Sequence, residues 1–558
     1  MNKKEFLALI VILGIAAAFR FYDLTSVPLG LYPDEAMNGS NAQEAIATGA
    51  FKVFYPENNG REGLFINLQA VAVALFGNYP WALRGVSALF GTLTVFGIYL
   101  VGRELFSRKR PSAAPLFAAF FTAVSFWHIN FSRIGFRAIM VPFFASFGLY
   151  FLLKGLRKNT IFDIILGGIF IGLGFHTYIA FRFMPFVVAV PLLIALRSWW
   201  QSRRNAATTS QPIPTGWRTV ACAPCAVLLF LFITFVIALP IGWYFFQHPE
   251  DFIGRGGQVS IFATASPAWE FAKSNALTLQ MFFWQGDCNW RHNYNCDPEL
   301  NPLVAVFFLI GAAYTARSLF RKYAGTHELG RGNALTLTAW FGFMTLPATL
   351  TAEGLPHALR AIGMIPPVML IAGYGAASLI GLVRAYLTRQ SLRFPQSAGQ
   401  LSRIRRELLL LFFAALAAIA YMGYRDYFVQ WAENKHAYFA FAADLFHQAE
   451  YMRDLPYNVH KIIVVNLAGT EVRGIPMPSQ TMMFLTDTFH EAGRPEKNFR
   501  YILPHELAGL DLASARSVVI TFLNGADRKT LQAAHTQFPK YRIWTPGDFV
   551  IMENVQKK

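Results

Sequence analysis

The chain has little charge for its size. Only 15% of its 558 residues are Asp, Glu, Lys or Arg, against roughly 25% in soluble domains, which excludes an ordinary water-soluble globule. Acidic residues are the scarcer sign, 32 against 49 Lys and Arg, leaving a formal net charge of +17. Four cysteines are too few for a disulfide-built scaffold. The sequence also lacks a nucleotide-binding glycine motif, a solenoid repeat and a long low-complexity segment. Apolar sequence fills the space instead, at 54% hydrophobic and 16% aromatic residues with a mean hydropathy of +0.36. Apolar runs near ~20 residues recur along most of it, the mark of transmembrane helices.

Hydropathy gives about eleven spans: Phe6–Phe21, Ala82–Val101, Ala113–Phe131, Ala138–Leu153, Ile161–Phe175, Phe183–Trp199, Val220–Phe245, Pro302–Tyr314, Ala334–Leu350, Ala361–Val383 and Leu408–Tyr424. The basic residues cluster in short loops such as "RELFSRKR", "KGLRK", "RSWWQSRRN", "RSLFRKY" and "RAYLTRQSLRFPQSAGQLSRIRR". Cytoplasmic retention of positive loops accounts for the net charge better than nucleic-acid binding, for which these loops are too small. The other loops hold Asp34-Glu35, "SRIGFR", "HTYIAFR", "QHPEDFIGRGG" and "AEGLPHALR", and face the periplasm or exterior. Leu64–Phe76, about 13 residues, is too short to span and reads as interfacial or re-entrant. "MNKKEFLALIVILGIAAA" has the form of a signal peptide too, but a retained anchor is the preferred reading.

The expected fold class is therefore a polytopic α-helical membrane protein with a C-terminal soluble α/β domain. The transmembrane part covers 1–425, with a first extracytoplasmic loop at 23–81, and the soluble domain covers 426–558. In that last part, β-rich runs ("KIIVVNL", "FRYIL", "SVVITFL", "YRIWT", "FVIMENV") alternate with helical patterns such as "DRKTLQAAHTQF". An odd number of spans from a cytoplasmic N-terminus puts it outside a bacterial-type inner membrane. Cys288 and Cys296, in the polar loop "WQGDCNWRHNYNCDP", are candidates for a disulfide in an oxidising compartment. Cys222 and Cys225 form a C-x-x-C inside an apolar run, where small residues packing within a membrane helix are the simpler reading.

Four groups of polar residues converge on the outer face. Asp34 and Glu35 lie just past the first span in "LGLYPDEAMNGSNAQEAI"; ionisable groups beside a bilayer are costly and mark function, although helix-dipole stabilisation in a first turn is an equally simple account. Arg61 and Glu62 precede the interfacial segment, where a surface ion pair is the plainer alternative. Arg133, Arg137, His176, Tyr178 and Arg182 occur at helix ends as R-x-x-x-R and H-x-Y-x-x-x-R. Arginine grips phosphate oxygens bidentately, which suits a lipid phosphate; snorkelling explains one such residue more easily than a set. Glu353, His357 and Arg360 lie between two late spans and could equally cap helices. Spacing shows no strong metal constellation, and Glu62 with His248, His292 or His357 could ligate a divalent ion without spacing to establish it.

The first-loop "PDE", the amphipathic segments after it, "FSRIGFR…P", "HTYIAFR…P" and "PHALR" before a late helix resemble the GT-C membrane glycosyltransferases. Within these the likeness is to the protein O-mannosyltransferase and aminoarabinose-transferase (ArnT-like) superfamily, over about the first 425 residues. The resemblance implies a sugar carried on polyprenyl phosphate and passed to a hydroxyl of a protein, lipid A or glycan on the non-cytoplasmic face. It implies that Asp34 is the catalytic acid-base residue with Glu35 as its partner. No cofactor is required by this reading. The chain departs from the family in having "REGLF" where an H/K-P-P element often stands, which puts acceptor contacts and metal ligation near Glu62 in question. The chemistry agrees: polyprenyl phosphate leaves without protonation, so one base suffices for inverting attack, and cationic groups stabilise the departing phosphate. A transporter or flippase of lipid-linked sugars is the alternative of another class, although its ionisable groups would sit near the bilayer midplane. A catalytically dead relative whose α/β domain binds a partner is a third.

Overall fold

The computed structural model describes residues 2–106, 112–205, 222–320, 329–490, 493–512 and 515–554. Ser107–Arg110 of the first basic loop, Val220, and Arg321–Tyr323 fall outside them. The chain forms two compact units: Met1–Tyr22, Ser87–Arg133 and Arg137–Gln430 make the first, and Asp23–Val86, Ile134–Phe136 and Trp431–Lys558 the second.

The first unit is helical. Each of the eleven apolar stretches is mostly helical within the described residues, with breaks at Ser125 and at Met344 and Thr345. Among the described residues seven helices are long and apolar enough to cross a membrane: Pro80–Leu105, Arg137–Lys158, Ile179–Arg204, Ala223–Gln247, Pro302–Phe320, Ile362–Arg393 and Gly399–Trp431. Ala114–Val124 and Phe126–Arg133, bent by 57°, make an eighth if taken as one broken span. The other three differ from the sequence expectation for physical reasons. Ile161–Gly174 and Arg331–Phe343 have 14 and 13 residues, about 20 Å of rise against a hydrocarbon core of roughly 30 Å. Lys3–Phe21 is long enough but carries Lys3, Lys4, Glu5 and Arg20. The chain is a multi-pass membrane protein. Small residues let its helices approach: a Cβ at Gly311 would run into the Ile371 carbonyl oxygen, and one at Gly375 into that of Phe307.

All four cysteines are paired, Cys222 with Cys225 and Cys288 with Cys296. The first pair corrects the reading of Cys222 and Cys225 as packing residues. Cys222 is the N-cap of Ala223–Gln247 rather than a residue inside it. That brings the two Cα atoms within 5.2 Å, inside bridging range.

The second unit is built on a five-stranded sheet in the order Phe499–Ile502, His460–Val464, Val518–Phe522, Ile551–Asn554, Arg542–Trp544. The first three strands are parallel and the last two pairings antiparallel. Each corresponds to one of the five β-rich runs. Alternation along His460–Val464 sends Ile462 and Val464 into one apolar cluster and Ile463 into another, as a period of two requires. Arg528–Gln537 covers one side, its N-cap Asp527 accepting the Thr530 N–H at 3.2 Å. The segment Asp23–Val86 belongs to this unit. Its helix Pro33–Thr48 packs against Gln480–Thr486, with Leu31, Ala36 and Leu83 sharing a core with Met482 and Phe484.

Candidate active site

In the second unit, Pro33 opens the helix that carries both acids, supplying the fixed φ and missing N–H suited to a first turn. Glu35 is fully buried. Its carboxylate meets Arg84 through two contacts, Nε–Oε1 at 2.9 Å and Nη2–Oε2 at 3.1 Å, and accepts the Gly135 N–H at 2.7 Å and the Tyr32 N–H at 3.3 Å. Arg84, equally buried, donates further to the carbonyls of Pro28 (2.6 Å) and Gly30 (2.8 Å). Glu35 thus ties together the turn before the helix, the start of Pro80–Leu105 and the Ile134–Phe136 segment.

Asp34 differs from its neighbour. It is half-buried and accepts one hydrogen bond from Asn58 Nδ2 at 2.9 Å. Asn58, Asn59 and Gly60 hold φ of +54°, +62° and +81°, left-handed turn values that Asn and Gly tolerate best. This turn joins the short strands Phe54–Tyr55 and Arg61–Glu62. Arg61 is buried, donating to Asn38 Oδ1 at 2.7 Å and to Asn41 Oδ1, while Asn38 Nδ2 reaches the Gly135 carbonyl at 3.0 Å. Arg61 therefore braces the next two turns of the acid-bearing helix. Glu62, also buried, is the N-cap of Gly63–Phe76. Arg473 grips Glu44 through two 2.8 Å contacts and reaches Glu57 at 3.2 Å. The Arg473 hydrogen bonds hold the Glu44 carboxyl below the usual range.

The remaining candidates belong to the first unit. Arg137 lies over the Tyr178 ring, 5.3 Å from its centroid, so the structure brings these two together. Arg182 packs on Phe252 (4.1 Å) and Phe245 (5.0 Å) and donates to the Phe252 carbonyl at 2.7 Å. His176 Nε2 sits 2.9 Å from the Ile237 carbonyl oxygen. Arg133 is fully buried against Tyr427 and Phe428 and donates to the Phe19 carbonyl at 3.1 Å. Arg360 donates to Thr351 Oγ1 and to the backbone oxygen of Glu353, both at 2.8 Å, so Glu353 contributes its carbonyl there while its side chain is exposed. His357 lies with His292 and Asp287, their donor atoms all within 4.8 Å of one another.

Three residues escaped the sequence reading. Arg84 was visible as a lone guanidinium just inside an apolar helix, a placement that demands a partner. Asp287 adjoins Cys288 in "DCNWRH". Glu299, buried beside it with Oε1 accepting the Asp287 N–H at 3.3 Å, carries no local signal; burial, then the nearby Asp287, pushes its carboxyl well above the usual range.

Residues 64–209, about a quarter of the chain, match the family model of dolichyl-phosphate-mannose-protein mannosyltransferases. Two solved structures of ArnT from Cupriavidus metallidurans match almost end to end. The apo form gives a TM-score of 0.56 at 13% identity, covering 99% of each chain. The form bound to undecaprenyl phosphate gives 0.52 at 14% identity, covering 99% of this chain and 98% of that one. The chain has the GT-C fold. At these identities the likeness is one of architecture, and the resemblance to the mannosyltransferase and ArnT-like group read from the loops is shown in the fold. No curated protein matches the chain in sequence.

Proposed function

We propose that the protein is a membrane glycosyltransferase that passes a sugar from a polyprenyl phosphate to an acceptor hydroxyl on the outer face of a bacterial-type inner membrane. In this reading residues 1–425 form the membrane catalytic region with a cytoplasmic N-terminus, and 426–558 form an extracytoplasmic α/β domain. The observation that carries it is the Asp34 carboxylate, half-buried on a helix whose position is fixed by the buried Glu35–Arg84 pair, in a fold shared with ArnT, whose structure holds undecaprenyl phosphate.

Asp34 Oδ takes the acceptor hydroxyl proton as the oxygen attacks the anomeric carbon, and the bond from that carbon to the phosphate oxygen breaks. The polyprenyl phosphate departs with the electron pair, and configuration inverts. Arg137, oriented by Tyr178, and Arg182 stabilise the charge on the departing phosphate, with His176 as polar support. Arg133 ties its helix end to Lys3–Phe21 through the Phe19 carbonyl. In this reading Arg61 and Glu62 contribute to acceptor binding, and Glu353, His357 and Arg360 to substrate binding. Glu35 serves by positioning rather than by proton transfer, because its oxygens are committed to Arg84, Gly135 and Tyr32.

The test is transfer of labelled sugar from a panel of polyprenyl-phosphate donors into membrane extracts by purified protein, wild type against Asp34→Asn. Loss of a general base removes about 10²–10⁴ in rate, and the asparagine retains the shape and the Asn58 contact. Undiminished transfer by Asp34→Asn would remove Asp34 as the base. Vesicle uptake without covalent product would replace the enzyme with a transporter.

A further inference from the structure

Asp287, His292 and His357 form a cluster that the transfer chemistry above leaves largely unused. Asp287 and His292 come from the Trp284–Asn301 loop, and His357 from the turn ahead of Ile362–Met364, so two stretches far apart in sequence meet here. Asp287 and His292 are buried and His357 is half-buried. Asp287 Oδ2 lies 2.8 Å from His292 Nδ1 and 3.8 Å from His357 Nδ1. Two ligands on one tetrahedral zinc ion, with bonds of roughly 2.0–2.2 Å, stand roughly 3.4 Å apart. The observed separations bracket that value.

The surroundings are preorganised. The Cys288–Cys296 disulfide closes the loop on either side of His292. Asp287 Oδ2 also accepts the Ala358 N–H at 2.9 Å, and Trp127 Nε1 donates to the Ala358 carbonyl at 3.1 Å, which fixes the His357 turn. Asn130 Nδ2 donates to the Arg291 carbonyl at 2.8 Å, which fixes the other loop on the same bent helix. Beside Asp287, the carboxyl of Glu299 is buried with Oε2 lacking a hydrogen-bond partner among the described residues, an arrangement a nearby cation would relieve.

We propose that Asp287, His292 and His357 bind one divalent transition-metal ion, zinc being the best fit to a two-histidine, one-carboxylate set. Three protein ligands leave a coordination position for water or an oxyanion, and the half-buried His357 side is where it opens. The ion joins the Trp284–Asn301 loop to the Thr351–Ala361 turn. This goes beyond the transferase reading and stands without it, because the readout is binding. The second cluster of suitable groups among the described residues, His248, Glu250 and Asp251, is local in sequence and mostly exposed, and serves as the control. No thiolate competes, since every cysteine is in a disulfide.

The experiment is titration of chelator-stripped, full-length protein in detergent with Co²⁺ and then Zn²⁺, following visible cobalt absorption and bound metal per chain. One equivalent is expected in wild type and in His248→Ala. His292→Ala and His357→Ala should each lose more than the roughly 10–100-fold that even an outer-shell partner is worth. Wild type needs no variant for a second readout: its thermal midpoint should rise with Zn²⁺ and return with chelator. Absence of stoichiometric metal on wild type, retention by both histidine variants, or loss in His248→Ala overturns the proposal.

Discussion

Replacing Arg84 by methionine tests the arrangement on which the Asp34 helix depends. Methionine keeps most of the side-chain volume and removes the guanidinium. Glu35, fully buried, would lose both Arg84 contacts at 2.9 and 3.1 Å, and the Pro28 and Gly30 carbonyls would lose their donors. Breaking a buried pair from one side costs about 3–5 kcal/mol, because the abandoned charge stays desolvated. That is a large share of the 5–15 kcal/mol or so that holds a typical domain. Glu35→Gln should cost less, since an amide oxygen still accepts from Arg84 and from the Gly135 N–H. The double variant Glu35→Gln/Arg84→Met should be less destabilised than the sum of the singles, with a coupling of about 0.5–3 kcal/mol. Unfolding in detergent, followed by tryptophan fluorescence across the four proteins, measures each term. Transfer activity of Arg84→Met should fall with its folded fraction, whereas Asp34→Asn should lose activity at an unchanged midpoint. An Arg84→Met cost below about 1 kcal/mol, or strictly additive singles, would refute the view that this pair anchors the helix.

Two further outcomes follow from the same unit. Gly39→Ala should destabilise by about 1–3 kcal/mol, because its Cβ would stand 2.5 Å from the Phe484 ring; Phe484→Leu should recover part of the loss, and a neutral Gly39→Ala in the same unfolding assay would contradict this packing. Glu44 is held below the usual carboxylate range by Arg473, so the pair stabilises the fold fully above the unfolded value of about 4.3. That contribution fades as pH falls through the lower folded value. Arg473→Gln should flatten this acid limb of stability against pH, by a modest amount because both groups are partly exposed and screened; an unchanged pH profile would count against the linkage.

The elements that could be read in advance are those whose signal is local and periodic. "KIIVVNL" and "SVVITFL" alternate between two apolar faces and are strands; the eleven apolar runs are helices because nothing in lipid but internal hydrogen bonding satisfies their backbone. The count of crossings was harder, since charge at Lys3–Phe21 and shortness at Ile161–Gly174 blur a hydropathy reading that sees only the apolar average. Side-chain partnerships were largely illegible for a different reason. Glu35 finds Arg84 49 positions away, and the Asp287 carboxylate finds the Ala358 N–H 71 positions away; no spacing rule reaches across such loops. The pair Asp34-Glu35 shows what sequence leaves open most sharply. Adjacent residues on a helix point about 100° apart, so two acids alike in chemistry and position must face different surroundings. One turns inward to a guanidinium and two backbone donors, and the other stays half-exposed with a single amide. Among the described residues only the second keeps lone pairs uncommitted, which is why the proposed proton-accepting role is put on Asp34 and tested by activity, and Glu35 is tested by stability.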